Sequence, residues 1–410
     1  MLQRILYSFV SKGMVALINF LILLLSARYL GVRTRGEISV FLINIALVQV
    51  INEIYTGYSL VHFLQKYNNK KLLQTGLLIT VLFSVIAAFI LPMRQGNEVS
   101  FFSYLTMLVM VLLHSYFCVV LLGKQKLRTY NFISLLQPML LLIFLALKLF
   151  VAKEFTFQTY YFSLSASFAM ALPVSALLAW RAIQSLPAFT DFSLRSVLTK
   201  GFLFQAGTLM LLFINRYTYY VLTETEKIGL YSTACALMDA LLLIASAASP
   251  VLLARLAVYK EPARLLLRIL RLSLLVLLVL YAGAWLLPES LLLLLVGKGY
   301  IGIRLIMLTY GPSVIFQSAC ILVGQYYSAR GQQGQLIRLY LFPFLTHLIL
   351  APLLISELGI SGAALASGFT FLFVLLRIYT HFCRQEGLSR LFILKKFSVR
   401  SEFLQLMQDY

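Results

Sequence analysis

The sequence consists of long apolar runs that are separated by short clusters of charged residues. Most runs are close to the roughly 20 residues that an α-helix needs to cross a bilayer. Apolar residues follow one another within runs such as 135–147 and 272–280, without the alternation that strands of a membrane barrel require. The pattern therefore predicts twelve transmembrane helices, near residues 10–30, 38–58, 72–91, 100–122, 132–151, 160–180, 201–222, 229–251, 269–287, 303–324, 337–356 and 362–383.

Composition leads to the same class of protein. Of the 410 residues, 61% are hydrophobic and 12% are charged, whereas a soluble protein has about 25% charged residues. A soluble globule of this length has too little interior to bury so many apolar side chains. The composition excludes a cytosolic enzyme, a secreted domain and a disordered protein, and it predicts an all-α integral membrane protein.

The distribution of charge predicts the orientation of the helices in the membrane. The chain has 34 Lys and Arg but only 14 Asp and Glu, which gives a net charge of +20. With the N-terminus placed in the cytoplasm, 22 basic residues fall on the cytoplasmic side and 6 fall in the opposite loops. Because cytoplasmic loops collect Lys and Arg, both termini are predicted to be cytoplasmic. Topology accounts for the positive charge, so no nucleic-acid partner is predicted.

The connections between the runs predict the domain organisation. The longest inner connection, residues 181–200, contains Pro187 and lies near the middle of the chain. We therefore predict an N-terminal lobe of six spans over residues 1–185 and a C-terminal lobe of six spans over 186–383. Residues 384–410 form a cytoplasmic tail, either as an amphipathic helix on an anionic leaflet or as a polar extension.

The two predicted lobes carry a short internal repeat. Lys12-Gly13 at the start of the first span is followed after fifteen residues by Arg28-Tyr29, and the seventh span repeats this spacing with Lys200-Gly201 and Arg216-Tyr217. A glycine, Gly36 or Gly229, then opens the following span. Since six is an even number, both lobes enter the membrane from the same side, as in repeats related by an axis along the membrane normal.

Charged residues interrupt the first two spans of each lobe, at Lys12, Arg28, Glu53, Arg216 and Asp239. A charge in the hydrocarbon costs about 2.5–3.5 kcal/mol on insertion scales, so it is retained where it faces protein or water. The three basic residues either reach the head groups or line a cavity in which the arginines bind an anion. The two carboxylates either pair with an arginine or take up a proton.

Tyrosines accompany one of these charges. Tyr217, Tyr219 and Tyr220 follow Arg216 directly or closely. They form either part of the aromatic belt at the membrane surface or a platform on which a sugar ring stacks, with Tyr217 as the candidate contact.

Cysteine and histidine give no sign of a metal or a cofactor. The four cysteines and four histidines are scattered, and no CxxC pair or zinc-ligand spacing occurs. The sequence also has no Gly-x-x-x-x-Gly-Lys-Ser/Thr loop for ATP. We therefore predict neither a metal site nor a bound cofactor.

Three glycine-containing segments carry a resemblance to a known family. They are Ser-Ala-Arg-Tyr-Leu-Gly at 26–31 followed by Gly36, Leu-Val-Gly-Lys-Gly-Tyr at 295–300, and Leu-Gly-Ile-Ser-Gly-Ala-Ala at 358–364. With twelve predicted spans they resemble the polysaccharide flippases of the multidrug/oligosaccharidyl-lipid/polysaccharide exporter superfamily, and in particular the O-antigen flippases. Arg28 lies at the position that is typical of this family, whereas Arg216 rests on the internal repeat.

The resemblance implies a fold and a function. It implies two six-helix lobes around a central cavity in the inner membrane of a bacterium. It also implies alternating-access transfer of an undecaprenyl-diphosphate-linked oligosaccharide, such as an O-antigen unit for lipopolysaccharide, from the cytoplasmic to the periplasmic leaflet. Other proteins of polysaccharide assembly are the implied partners, besides the substrate and the lipid bilayer.

Two other functions stay open from the sequence. The multidrug branch of the same superfamily relies on acidic residues in its lobes, and Glu53 and Asp239 would suit a cation-coupled exporter. A membrane glycan polymerase is disfavoured because such enzymes carry catalytic residues on a large outer loop, and here no outer loop exceeds about fifteen residues. The prediction is a transporter and not an enzyme.

Overall fold

A computed structural model of the chain describes residues 2–67, 70–90, 99–183, 193–256 and 261–389. Within these ranges the chain forms fourteen α-helices and no β-strand. The helices are α1 Leu2–Thr56, α2 Tyr58–Tyr67, α3 Lys70–Ile90, α4 Phe101–Gly123, α5 Leu127–Leu147, α6 Phe157–Ile183, α7 Leu194–Arg216, α8 Thr218–Val221, α9 Thr225–Asp239, α10 Leu242–Leu256, α11 Pro262–Leu286, α12 Glu289–Val296, α13 Ile303–Ala329 and α14 Gln333–Gln385. A π-helical turn over Lys148–Ala152 follows α5, and a 3₁₀ turn over Lys298–Tyr300 follows α12.

The number of spans follows from how these helices are interrupted. In the described part of the chain, nine helical segments are long and apolar enough to cross a membrane, and α9 with α10 makes one further span that is bent by 49°. The helices α1, of 55 residues, and α14, of 53 residues, are each broken inside. Each of these two helices therefore provides two spans, so the nine segments and the bent pair together give twelve spans. The structure confirms the twelve helices and the all-α integral membrane class that the sequence predicts.

The two breaks are glycines in the left-handed region of the backbone. Gly31 has φ of 81° and Gly359 has φ of 58°, values that a residue with a Cβ adopts only under strain. Helix resumes directly after each glycine. The chain therefore passes from the first to the second span, and from the eleventh to the twelfth, without a loop.

Large apolar side chains cover the outside of the helices. Leu286 is 84% exposed, Phe102 is 76% exposed and Ile349 is 67% exposed. Water would not solvate such a surface, whereas lipid tails are as apolar as these side chains. The exposure supports the assignment of these helices to a bilayer.

The described residues divide into two compact units. The first contains the described residues up to Thr233 together with Leu292–Ile301, and the second contains the described residues from Ala234 to Leu291 and from Gly302 onward. The helix α7, which the sequence assigns to the C-terminal lobe, packs within the first unit. The lobes over 1–185 and 186–383 remain a prediction. The linker around Pro187 and the tail from residue 390 lie outside the described residues.

Aromatic packing holds the core of the first unit together. The ring of Phe41 lies 5.6 Å from that of Phe157 in an edge-on contact and 5.8 Å from that of Tyr161, while Tyr104 packs at 6.3 Å. All four side chains are buried. Because lipid is itself apolar, close packing rather than removal from water stabilises such a membrane core. These contacts tie α1 to α4 and α6.

A proline shapes the centre of the second unit. The helix α13 is the most buried of its spans, and Pro312 inside it has no N–H to donate to the carbonyl of Leu308. The hydroxyl of Tyr281, on α11, donates to that carbonyl at 2.6 Å. The side chain of one helix thus replaces the backbone donor that the proline removes from another.

Replacing Tyr281 with phenylalanine tests whether its hydroxyl takes the place of the missing Pro312 N–H as the donor to the Leu308 carbonyl. We expect Tyr281→Phe to destabilise the folded protein by about 1 kcal/mol, because the half-buried Leu308 carbonyl loses its donor. Thermal unfolding in detergent measures the change. Tyr29→Phe is the matched control, since Tyr29 makes only ring contacts with Phe150 and Phe155 in the described structure. Equal stability of the two variants would show that the Leu308 carbonyl needs no donor.

Candidate functional site

The polar side chains of the second span, residues 32–56 of α1, meet polar side chains from distant parts of the first unit. The Oγ atoms of Ser39 and Ser232 are 2.8 Å apart, and the hydroxyl of Tyr220 donates to Asn44 Oδ1 at 2.5 Å. Further along the second span, Gln49 donates to Ser115 of α4, and Glu53 accepts from Gln205 of α7. We call this row the polar seam, and its members are Ser39, Asn44, Gln49, Glu53, Ser115, Gln205, Tyr220 and Ser232.

Glu53 is the charged member of the polar seam. It is half-buried, and its carboxylate accepts one hydrogen bond from Gln205 Nε2 at 3.2 Å and one from Gln49 Nε2 at 3.4 Å. Gln49 also reaches Ser115 Oγ at 3.2 Å. Among the described residues no arginine forms a salt bridge with Glu53. Neutral amide donors hold the carboxylate, and they leave its negative charge without a compensating cation.

Backbones approach each other closely at both ends of the polar seam. A Cβ placed on Gly229 would lie 1.8 Å from the carbonyl oxygen of Val32, and one placed on Gly201 would lie 1.5 Å from that of Ile54. Both distances are far shorter than any real contact of a Cβ. The second span therefore crosses α9 at one end and α7 at the other only because these positions lack a side chain.

The glycines that the internal repeat pairs with each other are also in contact. A Cβ on Gly36 would lie 3.0 Å from the backbone nitrogen of Gly229, and a Cβ on Gly229 would lie 3.0 Å from that of Gly36. Two repeats related by a two-fold axis would bring corresponding residues together in this reciprocal way.

The first predicted arginine binds a backbone carbonyl. Arg28 is exposed, and its Nη1 donates to the carbonyl of Leu294 at 2.9 Å. Leu294 lies in the last turn of α12, where carbonyls have no helical partner and a positive charge is favourable. Lys12 is exposed as well. The anion-binding role of both residues stays a prediction.

The second predicted arginine lies among the tyrosines. Arg216, the last residue of α7, is half-buried; its Nη1 donates to the hydroxyl of Tyr219 at 2.6 Å, and its guanidinium lies 5.4 Å from the centre of that ring. Tyr217 follows it and is also half-buried. Tyr220, one turn further, belongs to the polar seam. A cation and aromatic rings are thus combined where the seventh span meets the second.

The second predicted carboxylate belongs to the other unit. Asp239 ends α9, next to the 49° bend between α9 and α10. The hydroxyl of Tyr310, on α13, donates to Asp239 Oδ1 at 3.1 Å. The coupling roles of Glu53 and Asp239 stay predictions.

Sequence reasoning missed most of the polar seam. Asn44, Gln49 and Gln205 are uncharged amides, whereas the candidate residues that the sequence suggests within the spans are charged or are tyrosines. An amide in a membrane helix is itself unusual, because each unpaired donor or acceptor is costly in hydrocarbon. A search for amides within the predicted spans would have found all three. No group of three or more His, Cys, Asp or Glu that could hold a metal ion occurs within the described ranges.

Comparison with known proteins gives structural likenesses. No model of a protein family matches the sequence, and no curated protein matches it. The chain is similar to the lipid II flippase MurJ in an inward closed conformation, with a TM-score of 0.69 at 12% identity over 98% of this chain and 90% of the other. It is also similar to a mutant of the Vibrio cholerae MATE transporter VcmN, with a TM-score of 0.66 at 14% identity over 94% and 97% of the two chains.

A third likeness is to a transporter of the MOP superfamily from Pyrococcus furiosus, with a TM-score of 0.66 at 11% identity over 96% of both chains. At these levels of identity the likenesses show the fold alone, and they cover nearly the whole chain.

Proposed function

We propose that the protein is a flippase that moves an undecaprenyl-diphosphate-linked oligosaccharide, such as an O-antigen unit, from the cytoplasmic to the periplasmic leaflet. The observation that carries this proposal is the fold shared with a lipid II flippase over 98% of the chain. The three sequence segments that resemble polysaccharide flippases support it. The protein would then be a transporter rather than an enzyme, in the inner membrane with both termini in the cytoplasm, as the basic residues predict.

The substrate needs a path that lipid alone does not offer. A diphosphate crosses hydrocarbon at a high free-energy cost, so a flippase provides a hydrated, positively charged route. In our proposal Arg28 and Arg216 bind the diphosphate, with Lys12 adding positive charge, and Tyr217 stacks on a sugar. Arg216 suits this role because it is half-buried beside Tyr219 and close along the chain to Tyr220.

Alternating access would use the close contacts at the two ends of the polar seam. For each leaflet to be reached in turn, the Gly36–Gly229 contact and the Gly201–Ile54 contact would open one after the other. Glu53, which lies between them along the second span, would take up a proton and so couple the two states. Asp239 is the proposed counterpart in the second unit. Other polysaccharide assembly proteins would act before and after this step.

Arg216→Ala tests the proposal. We expect the rate of translocation of lipid-linked oligosaccharide in proteoliposomes to fall at least about tenfold, since a loss of 1.4 kcal/mol at the rate-limiting barrier has that effect. Arg377→Ala is the matched control, because the Arg377 guanidinium also lies 5.4 Å from an aromatic ring, that of Phe342. Translocation at the normal rate in the Arg216 variant would contradict the anion-binding role.

A second candidate is a cation-coupled multidrug exporter. Glu53 favours it, because a carboxylate held by neutral amides is suited to bind a proton or a cation, and MATE transporters share the fold. A deletion strain separates the two functions. Loss of surface polysaccharide with normal drug resistance supports the flippase, while drug sensitivity with intact polysaccharide supports the exporter.

A further inference from the structure

Two arginines of α14 lie at the same depth in the membrane. The eleventh and twelfth spans are the two halves of α14 on either side of Gly359, and they run antiparallel. Their register is set by a contact between the side-chain amide of Gln335, on the eleventh span, and the ring of His381, on the twelfth. One helical turn further from the ends of α14, on each span, brings Arg338 level with Arg377.

Phe342 shows that both arginines lie on the same side of this pair of spans. It follows Arg338 by four residues, so the two side chains share one face of the eleventh span. The centre of its ring lies 5.4 Å from the guanidinium of Arg377 and 5.7 Å from the ring centre of Phe373, which is also on the twelfth span. Arg338 is exposed, Phe342 is 56% exposed and Arg377 is half-buried. The two arginines therefore flank an open groove between the spans.

No negative charge balances these two arginines in the part of the chain that the structure describes. No described carboxylate forms a salt bridge with Arg338 or Arg377, and neither guanidinium donates a hydrogen bond to a described residue. Glu386, the carboxylate nearest to Arg377 along the chain, pairs with Arg330 at 2.8 Å. Arg377 lies inside the predicted span 362–383, where a charge is costly without a polar partner. Two cations on one side of a helix pair also repel each other, so the groove favours an anion.

An exposed apolar stripe continues from Arg338 into the membrane. Its members Phe342, Leu345, Ile349 and Leu353 follow one another at intervals of three or four residues, so they lie along one face of the eleventh span. Leu345 is 47% exposed, Ile349 is 67% exposed and Leu353 is 59% exposed. A cationic groove that leads into an apolar stripe has the chemistry of a lipid-binding surface, because it offers a charge to the head group and apolar contacts to an acyl chain.

We propose that Arg338 and Arg377 bind the phosphate of an anionic phospholipid, with one of its acyl chains along the apolar stripe. Guanidinium groups suit this ligand because their parallel N–H donors match two oxygens of a phosphate. An anionic head group is favoured over a zwitterionic one, since the two arginines repel the ammonium group of the latter. The site lies wholly within the second unit, takes no part in the translocation proposed above and does not depend on it.

Binding of defined lipids to the purified full-length protein tests the site. Native mass spectrometry measures the retention of one molecule of dioleoyl-phosphatidylglycerol, which is anionic, or of dioleoyl-phosphatidylcholine, which is zwitterionic. We expect about tenfold greater retention of phosphatidylglycerol, and we expect Arg338→Gln and Arg377→Gln each to remove this preference. Because Arg338 is exposed, its variant keeps the test decisive if Arg377→Gln folds poorly. Arg264→Gln is the matched control and should keep the preference, since Arg264 is in the same unit but has a carboxylate partner, Glu261, at 2.8 Å.

Several outcomes would overturn the site. Equal retention of the two lipids by the unmodified protein, or an unchanged preference in the Arg338 and Arg377 variants, would show that no anionic head group binds here. An equal loss in the Arg264 variant would show that the preference reflects positive charge in general. If undecaprenyl diphosphate at equal concentration displaces phosphatidylglycerol from the unmodified protein but is not retained by Arg338→Gln, the groove binds a lipid-linked diphosphate instead. Lipid retention is the readout, so failure of the flippase proposal would leave this result intact.

Discussion

Gly201→Ala is expected to leave little folded protein. An alanine Cβ would lie 1.5 Å from the carbonyl oxygen of Ile54, 2.7 Å from its carbon and 3.0 Å from Ser59 Oγ. Two of these atoms are backbone, so no rotation of a side chain relieves the overlap. Overpacking of a protein core typically costs about 1–3 kcal/mol and occasionally more, and here two helices must separate along their line of contact.

The measurement is the free energy of unfolding in detergent, followed by circular dichroism, together with the yield of monodisperse protein. Gly283→Ala is the matched control, because Gly283 is also helical, within α11, and a Cβ there would meet nothing within 4 Å. Alanine is favoured over glycine in a helix by about 1 kcal/mol, and both variants gain this equally. If Gly201→Ala were as stable as Gly283→Ala, the close crossing of α7 and the second span would be wrong.

Glu53→Gln is expected to abolish coupled transport while the protein remains folded. Glutamine has nearly the same shape, and its single amide oxygen keeps the hydrogen bond from Gln49. Its NH₂ group then faces Gln205, and the contact is kept when the Gln205 amide turns over and accepts through its own oxygen. The variant cannot take up or release a proton at this position. We expect a translocation rate at least about tenfold lower than that of the unmodified protein, and no response to a pH gradient.

The assay compares translocation in proteoliposomes with and without an imposed pH gradient. Glu154→Gln is the control, because Glu154 is exposed and pairs with Lys148 at 2.9 Å outside the polar seam. A normal, gradient-dependent rate in the Glu53 variant would remove Glu53 from the coupling mechanism. A gradient-independent rate in both the unmodified protein and the variant would instead show that another driving force powers the cycle.

The spans could be predicted from the sequence because two strong signals coincide. Apolar runs fix where helices cross the membrane, and charged clusters mark where they leave it. The same reasoning misplaced one residue. The predicted spans leave Arg35 in the connection between residues 30 and 38, whereas the structure places it inside a helix and buries it. The reason is Gly31, since a single residue with positive φ replaces the expected loop and the helix resumes before Arg35.

The polar seam could not be predicted as a site, because its partners are far apart in the chain. Asn44 and Tyr220 are separated by 176 residues, and Glu53 and Gln205 by 152. Hydropathy shows which residues enter the membrane, but it does not show which helices pack against each other. The internal repeat came nearest to this information, since it singled out Gly36 and Gly229, and the structure places these two glycines in contact.

The loop-free break at Gly31 has a consequence for length variation in the chain. Inserting one residue into a helix turns everything beyond it by about 100° and shifts it by about 1.5 Å. A flexible loop between two spans would absorb such an insertion, but one residue added between Gly31 and Arg35 would rotate Arg35 and the polar residues beyond it relative to Gly31. This stretch should therefore tolerate substitutions at its exposed positions far better than any change in the number of residues.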